Sequence, residues 1–97
     1  MTEIIIRSDK TTNVRDLLRS AVENELRIIR GGISRTEKEL SRLEDVFGME
    51  TSRFYEEYRK GIAGDRPEHI RWAGEYETLK RLRRDRDELL EVNFQYK

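Results

Sequence analysis

The chain has 97 residues, of which 41% are charged and 35% apolar, and its twenty basic and twenty acidic side chains cancel. This length predicts a single domain, 1–97, and the balanced charge gives no overall attraction to nucleic acid or to an anionic membrane. The sequence contains no cysteine, so disulfides and thiolate metal sites are excluded. So small a domain buries a modest share of its surface, and we expect added stability from a second copy or a partner protein.

Short strands are predicted at both ends of the chain, at about residues 3–7 and 92–96. The first contains three consecutive isoleucines, and the second alternates apolar with polar residues. A strand this short is not stable alone, and we expect the two to pair if the ends of the chain meet. The apolar strand residues assigned to pairing or partner binding are Ile4, Ile6, Val92 and Phe94.

A long helix is predicted over about residues 13–47. Asn13 and Asp16 resemble a capping box at its start, and from there the apolar residues recur every three or four positions. The pair Gly31-Gly32 falls inside this pattern, but the spacing keeps its phase across the pair, which favours a continuous helix. The predicted buried stripe consists of Leu26, Ile29, Ile33, Thr36, Leu40, Leu43 and Phe47.

Two further helices are predicted after Gly48, which ends the long helix as a C′ glycine. The first is a short aromatic segment over about residues 52–60, with Thr51 as its cap. The second runs over about residues 66–91, with Asp65 as its cap. The apolar residues of this last helix are Ile70, Trp72, Ala73, Tyr76, Leu79, Leu82, Leu89 and Leu90.

Together these elements predict a mainly α fold. We expect a long, antiparallel, coiled-coil-like helical hairpin, with the short helix capping the turn and the terminal strands at the other end. Trp72 and Tyr76 lie four residues apart on one helix face, and we expect them to pack on Phe54 and Tyr58.

No arrangement of residues in the sequence predicts a catalytic, metal or cofactor site. His69 is the single histidine, and we expect it on the surface in the first turn of its helix. The adjacent acidic pairs Glu44-Asp45 and Glu56-Glu57 point in different directions on a helix, so neither converges on one site. The chain is therefore predicted to be neither an enzyme nor a cofactor-binding protein.

A basic cluster over residues 80–86 is the one candidate for nucleic-acid contact. Acidic residues are interleaved with its arginines, which is typical of a solvated helix face with intrahelical ion pairs. Binding to nucleic acid is therefore not expected. Since no segment is apolar enough to cross a membrane, we expect a cytoplasmic protein.

Three segments resemble a group of small prokaryotic strand, long-helix and helix proteins. They are the glycine-methionine cap and aromatic run at 47–58, the glycine-aspartate loop at 61–65, and the tryptophan-containing helix start at 70–77. Members of this group are thought to be antitoxin-like partners of small toxins. The resemblance covers most of the chain and implies a protein partner, but it assigns no functional residue.

The function predicted from the sequence is a non-enzymatic interaction protein, most concretely an antitoxin-like protein that forms a homodimer and neutralises a small toxin. Two alternatives stay open: a DNA-binding regulator like the ribbon-helix-helix repressors, and a structural coiled coil that only self-associates. The residues predicted to carry self-association or partner binding are Ile4, Ile6, Leu26, Ile29, Ile33, Leu40, Leu43, Phe54, Tyr58, Trp72, Tyr76, Leu79, Val92 and Phe94.

Overall fold

The computed structural model describes the backbone of residues 2–6 and 11–96, and the side chains of residues 2–5 and 13–92. Within these ranges the chain is mainly helical. The elements in chain order are strand β1 (Thr2–Ile6), helices α1 (Thr11–Phe47), α2 (Thr51–Arg59) and α3 (Pro67–Leu90), and strand β2 (Val92–Tyr96).

Helix α1 is unbroken over its 37 residues and passes straight through Gly31 and Gly32, as its spacing predicted. Gly32 is buried against α3, where a Cβ atom would lie 3.1 Å from Leu82 Cδ1. A larger residue at this position would push the two helices apart. The helix begins at Thr11, so Asn13 lies within it and the predicted capping box at Asn13 is wrong.

Helix α3 runs back along α1. Gly32 of α1 faces Leu82 of α3, while Phe47, at the end of α1, stacks on Trp72, near the start of α3. These contacts are possible only if the helices are antiparallel. The buried cluster between the helices is Ile29, Ile33, Leu40, Leu43, Phe54, Trp72, Ala73 and Leu79.

The turns between the helices differ in part from the predicted ones. Gly48 has a φ of 65° and ends α1 as predicted. The N-cap residues of α2 and α3 are Glu50 and Arg66, and neither makes a side-chain cap hydrogen bond. The predicted capping roles of Thr51 and Asp65 are therefore wrong, because α2 begins one residue earlier and α3 one residue later than predicted from their capping patterns.

Strands β1 and β2 form a two-stranded parallel sheet, in register from Thr2 opposite Val92 to Ile6 opposite Tyr96. The predicted pairing of the chain ends is thus present. The side chains of Ile4 and Val92 are half-buried. Those of Ile6 and Phe94, which were predicted to take part in partner binding, lie outside the described residues.

The two long helices differ in length. α1 has 37 residues and α3 has 24, so α1 is 13 residues longer. At about 1.5 Å per residue the first ~20 Å of α1 extends beyond the end of α3. The described chain is accordingly elongated, with dimensions of 58 by 22 by 18 Å.

A first prediction concerns Gly32. Replacing Gly32 by Leu should lower the free energy of unfolding by about 1–3 kcal/mol, because the added side chain overpacks the contact with Leu82. Chemical denaturation followed by circular dichroism measures the change. Gly74→Leu is the control, since a Cβ atom at Gly74 has no neighbour within 4 Å. Equal stability of the two variants would contradict the close packing at Gly32.

Candidate interaction surfaces

Trp72 lies at the centre of an aromatic stack that joins all three helices. Its ring lies parallel to that of Phe54, with 3.9 Å between centroids and 4° between planes. Phe47 stacks on Trp72 at 5.3 Å and 19°. Trp72 is only 1% exposed, so it is a core residue in this chain and has no surface to offer a partner.

Thr51 forms the polar part of this core. Its hydroxyl accepts a hydrogen bond of 3.0 Å from Trp72 Nε1, and its backbone N–H donates one of 2.7 Å to Glu44 Oε2. The first residue of α2 is thereby tied to both α1 and α3. Thr51 is a hydrogen-bond bridge and not the predicted cap, and the local sequence contains no signal for this role.

Tyr76 packs against a different partner from the predicted one. Its ring contacts Tyr55 edge-on at 5.0 Å, whereas the prediction paired it with Tyr58. Tyr58 instead contacts Phe54 within α2, at 5.8 Å. The difference arises because the Trp72 ring already covers the Phe54 ring. Tyr76 lies one turn further along α3 and therefore faces Tyr55.

A groove of about 400 Å³ lies between α2 and α3 beside this tyrosine pair. The Lys80 ammonium sits over both rings, 4.5 Å from the centroid of Tyr55 and 4.8 Å from that of Tyr76. Such cation–π contacts stabilise the Lys80 ammonium in place of a contact with a carboxylate. The residues lining the groove are Ser52, Tyr55, Glu56, Arg59, Lys60, Tyr76 and Lys80.

His69 is half-buried, which corrects the prediction that it lies on the surface. Its ring contacts those of Phe47 at 5.3 Å and Phe54 at 5.6 Å. Its Nδ1 atom is buried without a hydrogen-bond partner, as is Glu57 Oε2, which lies 3.9 Å from Arg53 Nε. Both residues line a cavity of about 210 Å³. Among the described residues no three potential metal ligands come together.

The basic cluster on α3 is largely paired with acids. Arg81 contacts Asp85 at 3.5 Å, Arg86 contacts Asp87 at 3.0 Å, and Arg83 reaches across to Glu37 of α1 at 2.9 Å. The interleaved carboxylates thus contact the arginines as the sequence pattern predicted.

The residues predicted to bind a partner occupy several environments. Tyr58, Tyr76, Ile4 and Val92 are half-buried. Eight others belong to the hairpin's own interior, so in this chain they hold the helices together instead of facing a partner. These eight are Leu26, Ile29, Ile33, Leu40, Leu43, Phe54, Trp72 and Leu79.

A second face of α1 is exposed and was missed in the sequence. We call it the outer face. Leu17 is 62% exposed and Ile28 is 58% exposed. The signal was present, since both residues belong to a second three-and-four spacing, but the stronger buried stripe of the same helix masked it. The outer face consists of Leu17, Ala21, Asn24, Ile28 and Gly31.

Comparison with protein-family models, with curated proteins and with solved structures finds no match for this chain. The resemblance to antitoxin-like proteins therefore stays a prediction. None of the helices in the described part of the chain is both long and apolar enough to span a membrane.

A second prediction tests the Thr51 bridge. Thr51→Val keeps the shape of the side chain but leaves Trp72 Nε1 buried without an acceptor, which should cost about 1–3 kcal/mol of stability. Thr51→Ser keeps the hydroxyl and is the matched control, with a smaller expected loss. A denaturation midpoint for Thr51→Val at or above that of Thr51→Ser would show that the hydrogen bond contributes little.

A third prediction concerns Trp72. Trp72→Ala removes the centre of the aromatic stack and should destabilise the fold by about 3–5 kcal/mol. That is a large fraction of the stability of a small domain. Thermal melting followed by circular dichroism measures the loss. An unchanged melting temperature would contradict the placement of Trp72 in the core.

Proposed function

We propose that this chain is a cytoplasmic, non-enzymatic interaction protein that forms a homodimer and binds a small partner protein, acting as an antitoxin does on a small toxin. The observation that carries the proposal is the terminal sheet. It has two parallel strands, so β1 and β2 each have one edge unpaired within the described chain.

An isolated two-stranded sheet is marginally stable in water, and parallel sheets are ordinarily covered on both faces. The free edges of such a sheet are templates for another strand, and adding a strand is a common way to bind an extended partner segment. Ile5, which is 48% exposed, lies on β1 and offers apolar contact beside that edge. The unpaired edges of the sheet therefore support a protein as the binding partner.

Self-association has separate support from exposed apolar side chains on α1. Leu17 and Ile28 are each more than half exposed, and the exposed Ala21 lies between them. Contiguous exposed apolar residues on a small protein commonly mark an interface. We assign the predicted coiled-coil-like packing to this self-association.

The ribbon-helix-helix alternative gains no support from α1. That comparison requires a turn and a second helix soon after the strand, whereas α1 continues without interruption from Thr11 to Phe47. A purely structural coiled coil leaves the open sheet edges without a role, so we favour the partner-binding function.

A fourth prediction tests the antitoxin-like function in cells. The product of a small gene next to the gene for this chain should arrest growth when it is expressed alone. Co-expression of this chain should restore growth. In the complex of the two purified products, hydrogen exchange of the amides of Thr2–Ile6 should slow, because a strand added at the sheet edge protects them. The variant Thr51→Ser serves as a folded control remote from the sheet.

Growth arrest that this chain does not relieve would contradict the antitoxin-like function. Relief of arrest with unchanged exchange in Thr2–Ile6 would keep the function but exclude the sheet edge as the binding site.

A further inference from the structure

The outer face of α1 forms a continuous stripe on the side of the helix away from α3. Its residues, from Leu17 to Gly31, follow one another in steps of four and three, the repeat of a helix seam. Leu26 and Ile29, which are buried, lie about half a turn round the helix from Asn24. α1 therefore has two apolar faces, and the described part of the chain covers only one of them.

Gly31 is the part of this stripe that the chain's own packing does not explain. A glycine within a helix is less favourable than alanine. At Gly32 the cost has a clear reason, because Leu82 lies against it. At Gly31 a Cβ atom would have no neighbour within 4 Å, and the residue is exposed. A glycine in an exposed apolar stripe leaves room for the close approach of a second helix.

The large and small residues of the outer face are also arranged symmetrically about its middle. Leu17 and Gly31 lie seven residues on either side of Asn24, and Ala21 and Ile28 lie three and four residues from it. A two-fold axis near Asn24 places Leu17 over Gly31 of the other helix, and Ile28 over Ala21. An interface related by a two-fold axis must be self-complementary in this way.

We infer that a second copy of this chain packs antiparallel on the outer face of α1, with the two-fold axis close to Asn24. The inference rests on the self-association in the proposed function and specifies its surface. The Asn24 side chain accepts a hydrogen bond from Arg27 in the same helix, and at the axis it lies next to its own copy. A polar residue at a single inner position commonly sets the register of such a pair.

The composition of the rest of the helix limits where the second copy sits. From Gly31 onward the same side of α1 becomes charged. Gly31 lines a polar groove with Arg35, Lys38 and Arg42, and two residues of α3, Arg71 and Glu75, complete the groove. A parallel, in-register pair would place Gly31 opposite Gly31 and Leu17 opposite Leu17, which leaves a gap at one layer and crowding at the other. The antiparallel pair avoids both.

The first test compares two glycines. Gly31→Gln fills the small position with a good helix former, and we expect it to weaken dimerisation by at least about tenfold while the circular dichroism stays helical. Gly74→Gln makes the same change at an exposed helical glycine of α3 whose Cβ position is also open, and should leave dimerisation unchanged. Sedimentation equilibrium over a concentration series measures both dissociation constants against the unmodified chain.

The outcomes separate the surface from the self-association itself. A monomeric unmodified chain would show that the proposed self-association fails. A dimeric unmodified chain whose Gly31→Gln variant dimerises equally well would leave self-association standing and overturn the outer face as its surface.

The second test measures the direction of the helices. The chain has no cysteine, so Ser41→Cys provides one site for a nitroxide label on an exposed position of α1. In the antiparallel dimer the two labels should lie about 50 Å apart, from a rise of about 1.5 Å per residue, whereas in a parallel dimer they should be on the order of 20 Å apart. Pulsed electron paramagnetic resonance gives this distance, and the short value would overturn the antiparallel arrangement.

Discussion

The structure depends on one constraint: α1 has apolar residues on two faces, and the other described elements cover only one of them. The inner face packs on α3, but α3 is shorter and leaves the first turns of α1 uncovered on that side. Of the described elements, the two-stranded sheet lies beside those turns. The exposed Leu17 and Ile28 lie in this N-terminal part of α1, and the two proposed binding surfaces are the outer face there and the sheet beside it.

The other end of the hairpin has a core of its own. Trp72 stacks between two phenylalanines and its indole N–H is satisfied by Thr51. Because Thr51 also binds Glu44 through its backbone, the first residue of α2 is held from both sides. Phe54 and Trp72 are buried at this end, and the paired indole N–H gives it the character of a structural core. Because Trp72 lies in this core, it is not an anchor for a partner, although tryptophan is common at interfaces.

The parts of the fold that follow from a helical period were predictable from sequence. The buried stripe from Leu26 to Leu43, the continuity through the two glycines and the end of α1 at Gly48 all depend on spacing or on a single glycine. The capping roles of Asn13, Thr51 and Asp65 were not predictable, because these residue types suit several positions near a helix start. The partner of Tyr76 and the burial of His69 depend on how α2 sits against α3, which no local pattern encodes. The outer face was present in the sequence as a weaker repeat.

The central claim is that a second copy covers the outer face with its axis near Asn24, and small-angle X-ray scattering tests it most directly. Asn24 lies five residues before the middle of α1, Thr11–Phe47, so the antiparallel dimer should be longer than one chain. Scattering should give the mass of two chains and a longest dimension about 15 Å greater than the 58 Å of one chain. The mass of one chain at every concentration, or a dimer no longer than the single chain, would contradict the account.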